Sequence, residues 1–439
     1  MKNQNKSKAG KIIQKDKELF FTTTRVNYDF VPSHGEAEFV YDIDGKKFID
    51  FSSFISVYNL GINSNNHVRE GIKKQVEVMM HSAFTDYYSA LPIEFAEELI
   101  KFMPVGFGRM FLSNSGTEAN EAAIKISKIL TKRQYILAFY NGFHGRTMGS
   151  LGLTASKTIH KEHFGPFPNV IHTPFAYCYR CPFNLEYPGC GLACIDHIKK
   201  YPLSKELPKN ELAAIFFEPI QGEGGYIVPP KDYFKELEKI AHDAGALMIA
   251  DEVQAGFMRT GKFLSLDNFG ITADIYTMAK AIGGGLPLGV TIAKKSLGDI
   301  PTGSHASTFG GNLLSVRAGL ESLKYLHEHH SKISYQIKNK SRHIMKRLNY
   351  MKERYEIVGD VRGLGLMIGV ELVESKKTKE PAKTKRDMII KDAFLNGLIM
   401  LPAGESSFRI IPPFDISENS IDKGLDIIEL LIAKYSNKS

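Results

Sequence analysis

FKELEKIAHDAGALMIADEVQAG, residues 234–256, decides the fold: a helical stretch closes at Ala244-Gly245 and leads into a short apolar run that ends on an acid, Asp251. The same theme recurs along the middle of the chain. RMFLSNSG leads into TEANEAAIKISKIL, while YILAFYNGFHG and AAIFFEPIQGEGG are further apolar runs bounded by turn residues. Buried strands alternating with helices specify an α/β fold, a mostly parallel sheet covered on both faces.

Outward from this core the text changes character. AEFVYDIDGKKFIDF alternates apolar and polar residues around Asp44-Gly45, the signature of a β-hairpin. After Asn312 a long helical stretch gives way to the strand-like pieces GLGLMIGVEL, GLIMLP and FRIIPP, which reads as a smaller α+β lobe. A length of 439 residues exceeds one compact domain, so two lobes are expected. The divisions are a disordered, lysine-rich tail over 1–17, the N-terminal part of the small domain over 18–65, a large domain over 66–312, and the rest of the small domain over 313–439.

The N-terminus has no apolar stretch after its charges, so it is not a secretory signal, and no run approaches a membrane span. A cytoplasmic protein is expected. The net charge of +8 is dispersed apart from six basic residues in the first 17, and without a nucleic-acid motif it does not argue for nucleic-acid binding. All four cysteines, Cys178, Cys181, Cys190 and Cys194, fall inside an insertion over 177–194. Their C-x2-C-x8-C-x3-C spacing is compatible with a metal clip, a disulfide loop or reduced thiols.

Ligands collect at the carboxyl ends of strands in such sheets, so polar residues placed directly after apolar runs are the candidates for chemistry. In SNSGTEAN, Ser115, Gly116 and Thr117 open a helix, and Ser115 with Glu118 has capping-box spacing. Exposed amides, hydroxyls and the positive helix end can cradle a phosphate, or the turn can cap its helix and bind nothing. Asp251 can cap a turn, or it can keep a heterocyclic nitrogen protonated so that the ring withdraws electrons. Lys280, followed by three glycines, can be a surface charge. In an apolar setting its pKa falls and the amine becomes nucleophilic enough to form an imine. Glu218 and Glu223 follow another run, and Arg409 precedes Ile-Ile-Pro-Pro, where a guanidinium fork suits the carboxylate of an amino or keto acid.

Taken in order, NSGTEAN (114–120), FHGRT (143–147), EPIQGEGG (218–225), DEVQAGFMRTG (251–261), DIYTMAKAIGGGLPLG (274–289) and STFGGN (307–312) resemble the class III, or ω-, aminotransferases of the fold-type-I pyridoxal-phosphate enzymes. The resemblance runs from about Phe39 to the C-terminus. It implies pyridoxal 5'-phosphate as cofactor, with Lys280 as Schiff-base lysine and Asp251 against the pyridine nitrogen. Ser115, Gly116 and Thr117 would hold the phosphate, Phe143 would stack on the ring, Gln254 would meet the phenolic oxygen, and Glu218 belongs to the cofactor set. Thr308 matches a threonine that reaches the phosphate of the other subunit, which implies a homodimer or a dimer of dimers.

For substrates the resemblance implies Arg409 for the α-carboxylate of a keto acid and Glu223 as its partner when an ω-amine is bound. Arg146 would take the distal carboxylate, and Ile55 matches an apolar position of 4-aminobutyrate-specific members. 4-Aminobutyrate with 2-oxoglutarate is therefore the expected pair, with no metal, nucleic acid or membrane involved. An amino-acid racemase or epimerase of the same branch, or an ornithine or acetylornithine aminotransferase, is the alternative. The chain departs from the family at GINSNNH, at Leu313 where a proline is usual, and at Met258 where a glycine is usual. The cysteine segment resembles an insertion of some archaeal members.

Overall fold

The computed structural model describes residues 7–436 except 25, 27, 64, 166, 168 and 209. A seven-stranded sheet lies at its centre, in the order Phe107–Ser113, Gly289–Lys294, Ile275–Met278, Leu247–Asp251, Leu212–Phe217, Tyr135–Phe139, Val170–Thr173. Gly289–Lys294 is antiparallel to both neighbours, and the remaining pairings are parallel. Every residue of Leu212–Phe217 and of Ile275–Met278 is buried, as a strand covered on both faces requires.

The helix Tyr233–Ala244 buries Tyr233, Phe234, Leu237, Ile240 and Ala241, which fall on one face at helical spacing. It closes on Gly245 at φ 58°, a left-handed cap that glycine adopts without a Cβ penalty, and the chain turns directly into Leu247–Asp251. The α/β class read from this stretch is what the fold shows.

Two smaller sheets flank the centre. Phe39–Asp42 and Lys47–Asp50 form the expected hairpin, with Phe39 opposite Ile49 and Gly45 at φ 86° in the turn. Pro32–Glu36 adds antiparallel on one side and Leu398–Ile399 parallel on the other. Val358–Leu364, Met367–Leu372, Ser407–Ile410 and Leu401–Ala403 make the second small sheet, antiparallel throughout. The long helix Leu313–Arg354 is capped by Asn312, whose side chain accepts from the amides of Leu314 and Ser315.

The disordered tail is corrected over 8–17. Lys8–Leu19 is a helix, begun by Ser7 accepting from the amide of Gly10 and supported by a Gln14 to Glu18 hydrogen bond one turn apart. Good helix formers and a cap outweigh the lack of apolar residues there, while residues 1–6 lie outside the described ones.

The four cysteines are free thiols that line one cavity of about 20 Å³. Among the described residues no group of three or more His, Cys, Asp or Glu is placed to hold a metal ion, and no helix is long and apolar enough to cross a membrane. The cysteine segment is anchored through charge. Tyr177 and Arg180 both bond to Glu371, a carboxylate inside the otherwise apolar strand Met367–Leu372, and Arg362 donates to the same carboxylate at 2.6 Å. Arg362 also donates to the carbonyl of Gly225 at 2.6 Å.

Candidate active site

The carboxyl ends of the central strands open on a cavity of about 530 Å³. Ser115, Gly116 and Thr117 reach it from the end of Phe107–Ser113, and Phe143 and Arg146 from the loop after Tyr135–Phe139. Glu218 follows Leu212–Phe217, Asp251 ends its strand with Gln254 three residues on, and Lys280 comes two residues after Ile275–Met278. The sheet thus gathers residues scattered over 165 positions.

Lys280 faces the open cavity and is only partly exposed, at a left-handed φ of 51° that lysine rarely adopts. Burial pushes its ammonium down to about 8, against the opposing pull of Asp251 and Glu218. A substantial fraction of this amine is therefore neutral near pH 7, as a nucleophile requires. Glu218 is buried and receives the amides of Phe143 at 2.9 Å and Gly222 at 2.8 Å. Burial, helped by the nearby Asp251, raises its carboxyl to about 7.

Asp251 is 3% exposed and fully engaged. Its Oδ2 accepts from His144 Nδ1 at 2.8 Å and from Asn120 Nδ2 at 2.8 Å, and its Oδ1 accepts from the amide of Val253. Asn120 is itself fixed by Thr277, which donates to its Oδ1 at 2.6 Å. These partners orient a carboxylate on the cavity floor. His144 and Asn120 went unassigned in the sequence although both stand inside quoted motifs. The only signal was a histidine and an asparagine beside residues already chosen, and nothing in the spacing foretold that they meet Asp251 across 107 and 131 positions.

Ser115 caps the helix Gly116–Thr131 by accepting from the amide of Glu118 at 3.2 Å. Glu118 closes back on the amide of Asn114, one residue before the position that capping-box spacing implies. Gly116 has no room for a side chain: a Cβ would stand 2.8 Å from Val253. A Cβ on Gly145 would stand 2.2 Å from Thr117 Oγ1, whose hydroxyl lies 2.6 Å from Ser150.

Beyond Gln254 lies a second polar layer. Gln254 Oε1 accepts from Tyr226 at 2.7 Å and lies 3.5 Å from Arg409 Nη1. Arg409 is 5% exposed, donates twice to the carbonyl of Pro402, and forms an ion pair of 2.9 Å with Glu223. The other oxygen of Glu223 accepts from Lys157 Nζ at 2.6 Å. Although burial opposes it, Arg409 and then Lys157 hold the Glu223 carboxyl below its ordinary range.

Arg146 is exposed at the cavity rim, 5.6 Å from the ring of Phe143. Four expected residues do not line the cavity in the single chain: Glu223 and Arg409 lie behind Gln254, and Thr308 and Ile55 stand further apart. Thr308 is exposed on the loop before the long helix, and Ile55 is 43% exposed on the turn that brings Val57 to the cavity. Met258, where the family has glycine, is buried at a left-handed φ of 65°, the backbone that explains a glycine there.

The donor set fits pyridoxal phosphate. It offers a buried amine of lowered pKa, an oriented carboxylate, a helix N-terminus whose glycine excludes any side chain, and a volume within the range of small-molecule sites.

The class-III aminotransferase model matches residues 21–432. The chain is 36% identical over 424 residues to the leucine/methionine racemase of Thermococcus litoralis, covering 96% of this chain and 95% of that one. It is 34% identical over 401 residues to a probable 4-aminobutyrate aminotransferase of Bacillus subtilis, covering 90% and 91%. A solved Bacillus anthracis aminotransferase matches its fold with a TM-score of 0.89 at 28% identity, covering 97% of this chain and 98% of that one.

Proposed function

We propose, because this chain belongs to the class III aminotransferase family and is a pyridoxal-phosphate-dependent aminotransferase, that it moves an amino group from an ω-amino acid, 4-aminobutyrate first, to 2-oxoglutarate. One observation carries the substrate reading: the Arg409–Glu223 ion pair beside Gln254, at the edge of the cavity that Lys280 faces. While the pair is closed, the guanidinium is neutralised and a chain without an α-carboxylate is tolerated. Once it opens, Arg409 offers two parallel donors to the α-carboxylate of a keto acid.

Bound pyridoxal phosphate supplies a reactive carbonyl carbon and an electron-withdrawing ring. In this reading the protein does the remaining work. Ser115, Gly116 and Thr117 would hold the phosphate, Phe143 would stack on the ring, Gln254 would meet the phenolic oxygen, and Asp251 would keep the ring nitrogen protonated. Glu218 fixes the Phe143 loop through its amide. Lys280 Nζ would hold the cofactor and, acting as base and then acid, would move the proton taken from the substrate carbon to the cofactor carbon. Arg146, at the rim, takes the distal carboxylate, with Ile55 contributing to the wall of the pocket. The reading takes Thr308 as a ligand to the partner subunit's phosphate, hence a homodimer or dimer of dimers, in a cytoplasmic setting. It also takes 66–312 as the large domain, with 18–65 and 313–439 as the small one.

A second reading, racemisation of an apolar amino acid, is favoured by the apolar wall of Val57, Val253, Leu286 and Leu288 and by the identity to the Thermococcus racemase. A matrix of amino donors against 2-oxoglutarate and pyruvate separates the two. Glutamate formed from 4-aminobutyrate is the expected result. Appearance of a D-isomer from one L-amino acid with no keto acid present, and no glutamate from any ω-amine, would overturn the first reading in favour of the second.

A further inference from the structure

When an α-carboxylate claims Arg409, the Glu223 carboxylate loses that partner. Glu223 is mostly buried, with a side chain 21% exposed, and a carboxylate stripped of its partner in such a place is costly. Lys157 and Arg409 both reach the Glu223 carboxylate, and the charges of Arg146, Lys157 and Glu223 all act on the nearby His160. The His160 ring meets that of Phe143 at 5.6 Å, and burial together with Arg146 and Lys157 keeps its pKa below the ordinary range.

Lys157 stands at the start of the short turn Thr158–His160, its side chain 41% exposed, with Nζ 2.6 Å from Glu223 Oε1. Arg409 holds the opposite oxygen at 2.9 Å. The carboxylate is thus shared by two cations that sit on different elements, one from the segment between the helix Met148–Leu153 and the turn Thr158–His160 and one from the strand Ser407–Ile410. Arg409 is fixed independently by Pro402, so it stays in place when Glu223 leaves.

We propose that Lys157 is a positioning residue for the acceptor half of the reaction. It retains Glu223 when the substrate α-carboxylate displaces it from Arg409, so that opening the gate breaks one of two contacts instead of the only one. This rests on the Arg409 reading above. Lys157 acts through Glu223 and sets how readily the pocket exchanges a substrate lacking an α-carboxylate for one that has it.

The test uses the holoenzyme and reads binding as well as turnover. In Lys157→Met, the apparent Kd for 2-oxoglutarate or pyruvate, titrated by cofactor absorbance of the aminated form, weakens by about 10-fold. The Kd for an amine without an α-carboxylate moves less than about 2-fold. Lys157→Arg restores keto-acid binding. In a Glu223→Gln background, where no charge needs a second partner, Lys157→Met has no further effect. Equal weakening for both substrate types, or an undiminished loss in the Glu223→Gln background, means that Lys157 touches substrate directly and overturns the proposal, as does keto-acid binding unchanged in Lys157→Met. Should no ω-amine react, the substrate reading fails, yet the double-mutant comparison with a keto acid still decides the role of Lys157.

Discussion

Lys280 provides the most direct check on the site, because its altered acidity follows from its surroundings and is measurable without substrate. A free lysine of pKa roughly 10.4 is about 0.04% neutral at pH 7. With burial bringing Lys280 down to about 8, the neutral fraction becomes about 10%, a gain of roughly 200-fold. The assay is pH-dependent labelling of the cofactor-free protein with a limiting amine reagent, followed by peptide mass spectrometry at position 280. Limited access slows labelling at every pH alike, so the midpoint of the profile reports the acidity alone, and it is expected near pH 8. Asp251 is the first of the charges that hold the ammonium up, so Asp251→Asn moves the midpoint down by about one unit. A midpoint near 10, equal to that of surface lysines in the same digest, would refute the argument, as would an upward shift in Asp251→Asn.

Burial and pairing elsewhere in the molecule set three more outcomes. Between pH 8 and roughly 10.4 the unfolded cofactor-free chain binds more protons at Lys280 than the folded one, so stability rises across that window by up to about 3 kcal/mol. Lys280→Met flattens the rise, as read from denaturant midpoints against pH; an equal rise in the variant would remove Lys280 as its cause. Arg409→Ala raises the KM for 2-oxoglutarate by about 100-fold, since a two-pronged charge contact is lost, and full retention of affinity would show that the keto acid binds elsewhere. Arg259 is completely buried, pushed down to about 9 by that burial, and donates to Leu366 O, Pro412 O, Asn59 and Ser56. Arg259→Leu strands those acceptors and costs about 3 to 5 kcal/mol in denaturant unfolding, whereas a loss below about 1 kcal/mol would mean that they find other partners.

Much of this site was legible because it obeys a topological rule. Asp251, Lys280, Glu218 and Ser115 each stand directly after an apolar run, and a parallel sheet brings the ends of such runs together whatever their separation in sequence. The resemblance added what spacing does not carry, namely the roles expected of Gln254, Phe143 and Thr308. The rest depends on contacts between distant segments. Lys157 reads as one lysine among many until the fold sets it against Glu223, 66 positions on. Glu371 sits in GLGLMIGVEL as a lone acid in an apolar strand, a visible oddity whose partners Tyr177 and Arg180 lie nearly 200 residues away. The helix Lys8–Leu19 escaped for the opposite reason: its single buried residue, Ala9, leaves almost no apolar pattern to find.

Arg362 spans the distance between the cysteine segment and the loop that bears Glu223, with one end on Glu371 and the other on the carbonyl of Gly225. The insertion is thereby wired to the loop that bears Glu223, although none of its residues lines the cavity that Lys280 faces. Anyone who trims or oxidises the four-thiol loop to obtain a more tractable catalyst also releases Tyr177 and Arg180 from Glu371, and with them one anchor of the tether that reaches the backbone beside Glu223.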